Sequence, residues 1–203
     1  MRPLIVTGCG RSGTGYAAAL LTAAGAPCGH EQVFTGRPEA WPVLATGKAD
    51  SSWFAVPHLS RQRDAYVVHQ VRHPLDVVAS WLANGSLQSR FVRRYLGLWC
   101  PEALREPTPE HGVLRYWVNW NRQAAKHADQ RWHVDGIGPE HLDRALRLSG
   151  RPTGQDTITD ALEHASHQTN HRADVHPIGW ADLGKGRLID DAHDLARQMG
   201  HWS

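Results

Sequence analysis

The chain opens on a continuous apolar run within PLIVT, residues 3 to 7, which reads as a strand buried in a sheet. A glycine-rich turn, GCGRSGTG at 8 to 15, leads into an alanine- and leucine-rich segment expected to be helical over 14 to 25, ended by Gly25 and Pro27. The run YVVHQV, 66 to 71, predicts a second strand, and after RHP the segment LDVVASWLA has apolar residues at helical spacing, with Pro74 in the first turn. Between these units SSWFAVPHL, 51 to 59, reads as a short strand running into a turn. Strand, helix, strand, helix implies parallel pairing with right-handed crossovers.

From about Gln88 to Gln130 the pattern is helical, with an interruption at PEALREPTPEHG. Trp117, Trp120, Ala124 and His127 recur at three- and four-residue intervals, so one helix face is predicted to be aromatic. RWHV, 131 to 134, is a candidate late strand, and PEHLDRALRLSG a helix with proline at its start and glycine after its end. The segment from about Arg151 to Pro177 is polar and rich in histidine and is expected to be partly loop, while LIDDAHDLARQMG returns to a helical pattern. The fold class is α/β, and with 203 residues and no repeat or linker, residues 1–203 read as one domain.

Composition changes this picture little. Hydrophobic residues at 41% and charged residues at 21% are ordinary for a globular chain, and a formal charge of +2 gives no sign of the basic stripe of a nucleic-acid binder. An anionic ligand has to be held by local charge. No apolar run is long enough to span a bilayer, and no signal-peptide pattern follows Met1, so a cytoplasmic location is expected. Cys9, Cys28 and Cys100 lack CxxC spacing, which argues against a zinc knuckle or disulfide framework. Nine tryptophans point to a well-packed core or to the wall of a binding cleft.

The glycine turn carries the chemistry. Gly8, Gly10 and Gly13 satisfy GxGxxG, but a dinucleotide fold also needs an acid at the end of a second strand. Glu31 has the distance, yet AGAPCGHE before it is a poor strand. The ATP-type loop fails because no lysine precedes a hydroxyl residue. What remains is an anion cradle: Gly10, Gly13 and Gly15 let the backbone approach, Arg11 offers a fixed positive fork, and Ser12 and Thr14 offer hydroxyls. A second basic site follows the second strand, where Arg72 and Ser80 stand eight residues apart in VRHPLDVVAS. Arg72 leaving the strand and Ser80 on the helix are placed to converge on one phosphate. The alternative roles are an ion pair between Arg72 and Asp76, and helix packing for Ser80.

These two motifs resemble the PAPS-dependent sulfotransferases, especially the bacterial and carbohydrate-type members, whose GxxRSGT loop for the 5′-phosphosulfate follows the first strand and whose arginine and serine hold the 3′-phosphate. The resemblance covers residues 3 to 82, with weaker echoes in WVNWN and in NHRADVHPIGWADL near the C terminus. It implies a P-loop-like three-layer fold with a central parallel sheet flanked by helices, PAPS as donor without a metal, and a small-molecule, carbohydrate or lipid acceptor. It further implies Gly10, Arg11, Ser12, Gly13, Thr14, Gly15, Arg72 and Ser80 as cofactor-binding residues. Arg11 stabilises the transferred group, and Glu31 is the general base, with His30 as the alternative. Gly15 stands where the family usually has a second threonine, and the family's GxxGxxK closing loop is absent.

Lys48, Asp50 and Ser52 are secondary candidates on the acceptor side, with Asp50 also suited to starting a turn. Asn170, His171 and Arg172 are candidate phosphate contacts, and His164, His167 and His171 have the spacing of one helix face without any established metal motif. A small-molecule kinase of related fold and a non-catalytic nucleotide-binding protein are the rival readings.

Overall fold

Five parallel strands form the centre of the computed structural model, which describes residues 1–37, 42–167 and 175–201. They are β1 (Leu4–Thr7), β2 (Gly29–His30), β3 (Ala49–Ser51), β4 (Tyr66–Val71) and β5 (Gln130–His133), in the spatial order β2-β3-β1-β4-β5. Ile5 lies opposite Asp50 on one side and Val67 on the other, so β1 is paired along both edges. The chain leaves β1 toward β2 and β3, then crosses back to β4 and β5. In open parallel sheets such a reversal falls at the strands' C-terminal ends, the end at which the glycine loop leaves β1.

Alternation along the strands feeds two cores. Leu4, Val6, Tyr66 and Val68 pack with Trp132 against α1 (Thr14–Ala23), α5 (Pro139–Leu148) and α6 (Gln155–His167). Ile5, Val67 and Val71 face the opposite layer, made by α2 (Pro74–Ala83), α3 (Arg90–Trp99), α4 (Pro109–Ala125) and α7 (Arg187–Gln198). The result is the three-layer α/β arrangement expected, with both sheet faces covered. Local signals set the helix starts: Pro74 occupies the first turn of α2 while His73 Nδ1 accepts from Leu75 N at 3.3 Å, and Thr108 Oγ1 accepts from His111 N at the start of α4, also at 3.3 Å.

Two segments depart from expectation. The short strand lies earlier, at Ala49–Ser51, and Trp53–Arg61 winds instead as a 3₁₀ helix capped by Ser52, whose hydroxyl accepts from Phe54 N at 3.1 Å. Trp53, Phe54, Ala55, Val56 and Leu59 are all buried, and a run buried on every side carries no period to separate strand from helix. Within the polar stretch expected to be partly loop, α6 forms because Ile158, Ala161 and Ala165 recur at helical spacing and bury against the α1 side. The aromatic face of α4 is core: Trp117 and Trp120 are fully buried, as is Trp132 on β5, while His127 lies past the helix end. Among the described residues no helix is long and apolar enough to cross a membrane.

One polar contact ties the sheet to α4. His69, fully buried on β4, donates from Nε2 to Asn121 Oδ1 at 2.8 Å, and Asn121 Nδ2 donates to Trp117 O at 2.9 Å. Burial holds this imidazole down at about 4. The unfolded chain therefore binds a proton that the folded chain refuses between roughly pH 6.5 and 4, and stability is lost as pH falls through that window. His201, also held down at about 4 by burial, acts in the same direction. Urea unfolding should give a stability that is flat above about pH 7 and drops by ~3 kcal/mol or more toward pH 4, with a shallower drop in His69→Gln.

Candidate functional site

The loop after β1 is shaped by donors that occupy its carbonyl groups. Ser12 N donates to Cys9 O at 3.1 Å, Trp81 Nε1 to Gly10 O at 2.9 Å, Gln70 Nε2 to Gly13 O at 3.1 Å and Ser51 Oγ to Thr14 O at 2.7 Å. With these oxygens taken, the negative ends of the loop's peptides no longer oppose an anion. Gly10 N donates to the buried Tyr116 hydroxyl at 2.8 Å, which fixes the loop to α4. Gly13 caps α1 with φ 85°, and a Cβ there would sit 2.6 Å from Val134 Cγ2, so only glycine fits the turn. No side chain caps α1, and the first N–H groups of the helix have no acceptor within it. Ser12 adds a fully buried hydroxyl that has no hydrogen-bond partner among the described residues. Together these form a positive, donor-rich cradle.

Arg11 connects this cradle to the second basic motif. Its Nε donates to Ser80 Oγ at 2.9 Å, and Arg72 Nη1 donates to Arg11 O at 3.3 Å. Arg72 is held in turn by Trp117 Nε1, which donates to Arg72 O at 3.2 Å. The sequence places Arg72 and Ser80 on one phosphate; the structure brings both to the loop with Arg11 between them. Both alternative roles are also present in part, since Arg72 Nε lies 3.8 Å from Asp76 Oδ2 and Ser80 is buried on α2.

Glu31 and His30 border the loop on the β2 side. His30 Nε2 lies 3.3 Å from Thr14 Oγ1 and 3.7 Å from Glu31 Oε1. A Cβ on Gly15 would meet the His30 ring at 3.6 Å, an ordinary van der Waals contact, so a side chain at position 15 would lie beside the imidazole. Burial pushes the Glu31 carboxyl above its ordinary range; the nearby His30 opposes the rise and the charge of Asp50 adds to it. Asp50 is a buried residue of β3, not the start of a turn. Ser52 is engaged structurally, its hydroxyl donating to Phe34 O at 2.8 Å. Lys48 lies at the opposite end of the sheet, where its carbonyl accepts from Leu4 N at 3.0 Å, and so does not join the site.

Arg11, with φ 70°, and Glu31, with φ 56°, are the non-glycine residues in the left-handed region among the described residues. Such a backbone costs on the order of 1–3 kcal/mol per residue and persists only where neighbours over-determine it. Both are residues that the sequence singles out for chemistry. Tyr116, Trp81 and Gln70 were not singled out, although a glutamine inside the apolar YVVHQV was a visible signal of a polar task.

The cysteines are free thiols, and burial pushes Cys9 upward and Cys28 up to about 12, so neither is a reactive thiolate. His164 Nδ1 donates to Asp160 O of its own helix at 2.9 Å; Asn170, His171 and Arg172 lie outside the described residues. Among the described residues no three His, Cys, Asp or Glu side chains gather as a cation site. In comparisons with family models, curated proteins and solved structures, nothing matches the chain.

The clamp on Gly10 has a measurable consequence. Tyr116→Phe preserves the ring packing but leaves the Gly10 N–H without its acceptor, and urea denaturation should register a loss of about 1–3 kcal/mol. Unchanged stability would mean that the loop is held by other contacts.

Proposed function

We propose that the chain is a sulfotransferase that moves the sulfuryl group of PAPS to a hydroxyl or amine of a small-molecule, carbohydrate or lipid acceptor in the cytoplasm. The observation that carries this reading is the contact chain Arg72–Arg11–Ser80 at the glycine loop. Two anion motifs some sixty residues apart in sequence share one place. A ligand with phosphate at both ends of an adenosine matches such a pair better than a single triphosphate does.

In this reading the loop N–H groups, Ser12 and Thr14 hold the 5′-phosphosulfate, and Arg72 with Ser80 takes the 3′-phosphate. Glu31 accepts the acceptor's proton as its oxygen or nitrogen bonds to sulfur. The bond from sulfur to the bridging phosphate oxygen breaks, and the electron pair leaves with the 3′,5′-bisphosphate. Arg11, always protonated, stabilises charge on the transferring group and the bridging oxygen. A base whose carboxyl is raised by burial takes a proton more readily near neutral pH, which supports Glu31 in the role. The kinase reading finds less support, because no lysine stands in the loop. Asp50, the acid near the end of β3, has its two oxygens engaged by backbone N–H groups and offers no ready magnesium ligand.

Calorimetry with adenosine 3′,5′-bisphosphate tests the anion half. Arg72→Ala should weaken binding more than tenfold, the loss of a charge-assisted contact of roughly 1.5–3 kcal/mol, and ATP should bind the parent protein much more weakly than the bisphosphate does. Equal binding of ATP, or no effect of Arg72→Ala, counts against the reading. For the chemical half, Glu31→Gln should lower sulfuryl transfer from labelled PAPS across an acceptor panel by about 10² or more with bisphosphate affinity retained. Near-normal turnover would remove Glu31 as base.

A further inference from the structure

Asp50 is a fully buried carboxylate on β3 whose oxygens are spent entirely on one short segment. Oδ1 accepts from Gln32 N at 3.1 Å, and Oδ2 accepts from Val33 N at 3.3 Å and Phe34 N at 3.2 Å. These are the three residues that follow Glu31. On the other side of β3's end, Glu31 N donates to Ser51 O at 3.1 Å. Glu31 is thus gripped before and after its Cα by adjacent residues of one strand, and its backbone is held at φ 56°. A left-handed conformation at a glutamate does not persist unaided.

Gly29 completes the device. It pairs with Asp50 across the sheet, and a Cβ at Gly29 would lie 2.6 Å from Asp50 Oδ1, so the strand carrying Glu31 leaves room for this carboxylate and for nothing larger than a hydrogen.

We infer that Asp50 is the positioning residue of the site, a buried side chain that, by holding the backbone N–H groups of Gln32, Val33 and Phe34, sets the direction in which the chain presents Glu31. The assignment rests on the proposed role of Glu31 as base. Asp50 touches no reacting atom in this scheme and works through Glu31 alone. The charged and titratable groups set against the Glu31 carboxyl are His30 beside it, which lowers its proton affinity, and Asp50 behind it, which raises it. Removing the negative charge at Asp50 therefore lets Glu31 lose its proton at lower pH.

The test uses Asp50→Asn and Gly29→Ala in the full chain, with folding checked by circular dichroism and the Glu31 side chain followed by carbon-13 NMR titration. In Asp50→Asn the Glu31 titration should move to lower pH. Turnover should fall at least tenfold, the acid limb of its pH profile should shift the same way, and bisphosphate affinity should stay within twofold. An unmoved Glu31 titration in folded Asp50→Asn overturns the inference. If Asp50→Asn does not fold, Gly29→Ala carries the test: it retains the charge but displaces the carboxylate, and should cost fivefold or more in turnover at unchanged bisphosphate affinity. Parent-like turnover there overturns it equally. The NMR readout needs no turnover. A shifted titration in a protein that transfers no sulfuryl group would sustain the link between Asp50 and Glu31 while removing the sulfotransferase reading.

Discussion

The loop after β1 is anchored at one residue, Gly10, whose N–H donates to the Tyr116 hydroxyl and whose carbonyl accepts from Trp81 Nε1. Both partners belong to the aromatic layer beneath the loop, where Trp53 meets the rings of Trp81 and Tyr116 edge-on. Close-packed aromatic rings have few alternative positions, so two hydrogen bonds to them fix the loop more firmly than bonds to mobile side chains would. Arg11 follows directly, and its left-handed backbone is sustained by what holds its neighbour.

The same layer reaches the second anion motif. Trp117, one residue after Tyr116, donates to Arg72 O, and Ser80, one residue before Trp81, accepts from Arg11. Alternate duties along α2 and α4 therefore couple the loop to Arg72 and Ser80 without any direct contact between the two helices being needed for the purpose. The tryptophans are core residues by burial and site residues by their ring nitrogens. A substitution such as Trp→Phe at these positions removes the ring N–H together with part of the packing, so its cost contains both roles.

Much of this was legible in the sequence, and the reasons are physical. β1, β4, α1 and α2 follow from unbroken apolar runs, proline at a helix start and glycine at a turn, all of which are local. The meeting of Arg11, Arg72 and Ser80 was readable because a glycine turn after one strand and a basic residue after the next bring their side chains to the same end of a parallel sheet. Tyr116 and Trp81 were not, since an aromatic residue at helical spacing reads as core whether or not its polar atom has a task. The 3₁₀ segment Trp53–Arg61 was hidden by burial on every side. Asp50 was hidden by its chemistry: a lone acid flanked by alanine and serine signals a turn, and only the fold brings residues 32–34 to its oxygens.

The two strained residues are stabilised by different parts of the molecule. Arg11 depends on α2 and α4 through the aromatic layer; Glu31 depends on β3 through Asp50 and Ser51. The two are joined by the pairing of β1 with β3, by Thr7 Oγ1 donating to Ser52 O and Ser52 N to Val6 O, by Ser51 Oγ donating to Thr14 O, and by His30 between Thr14 and Glu31. Residues linked through a shared partner are coupled energetically, so a change at Thr14 reaches Glu31 through His30. The segment after Glu31 is constrained first through its backbone, which must deliver three N–H groups to Asp50. The exposed side chain at 32 is free to vary under that constraint, whereas Val33, packed against the core, and the carboxylate that receives the backbone are not.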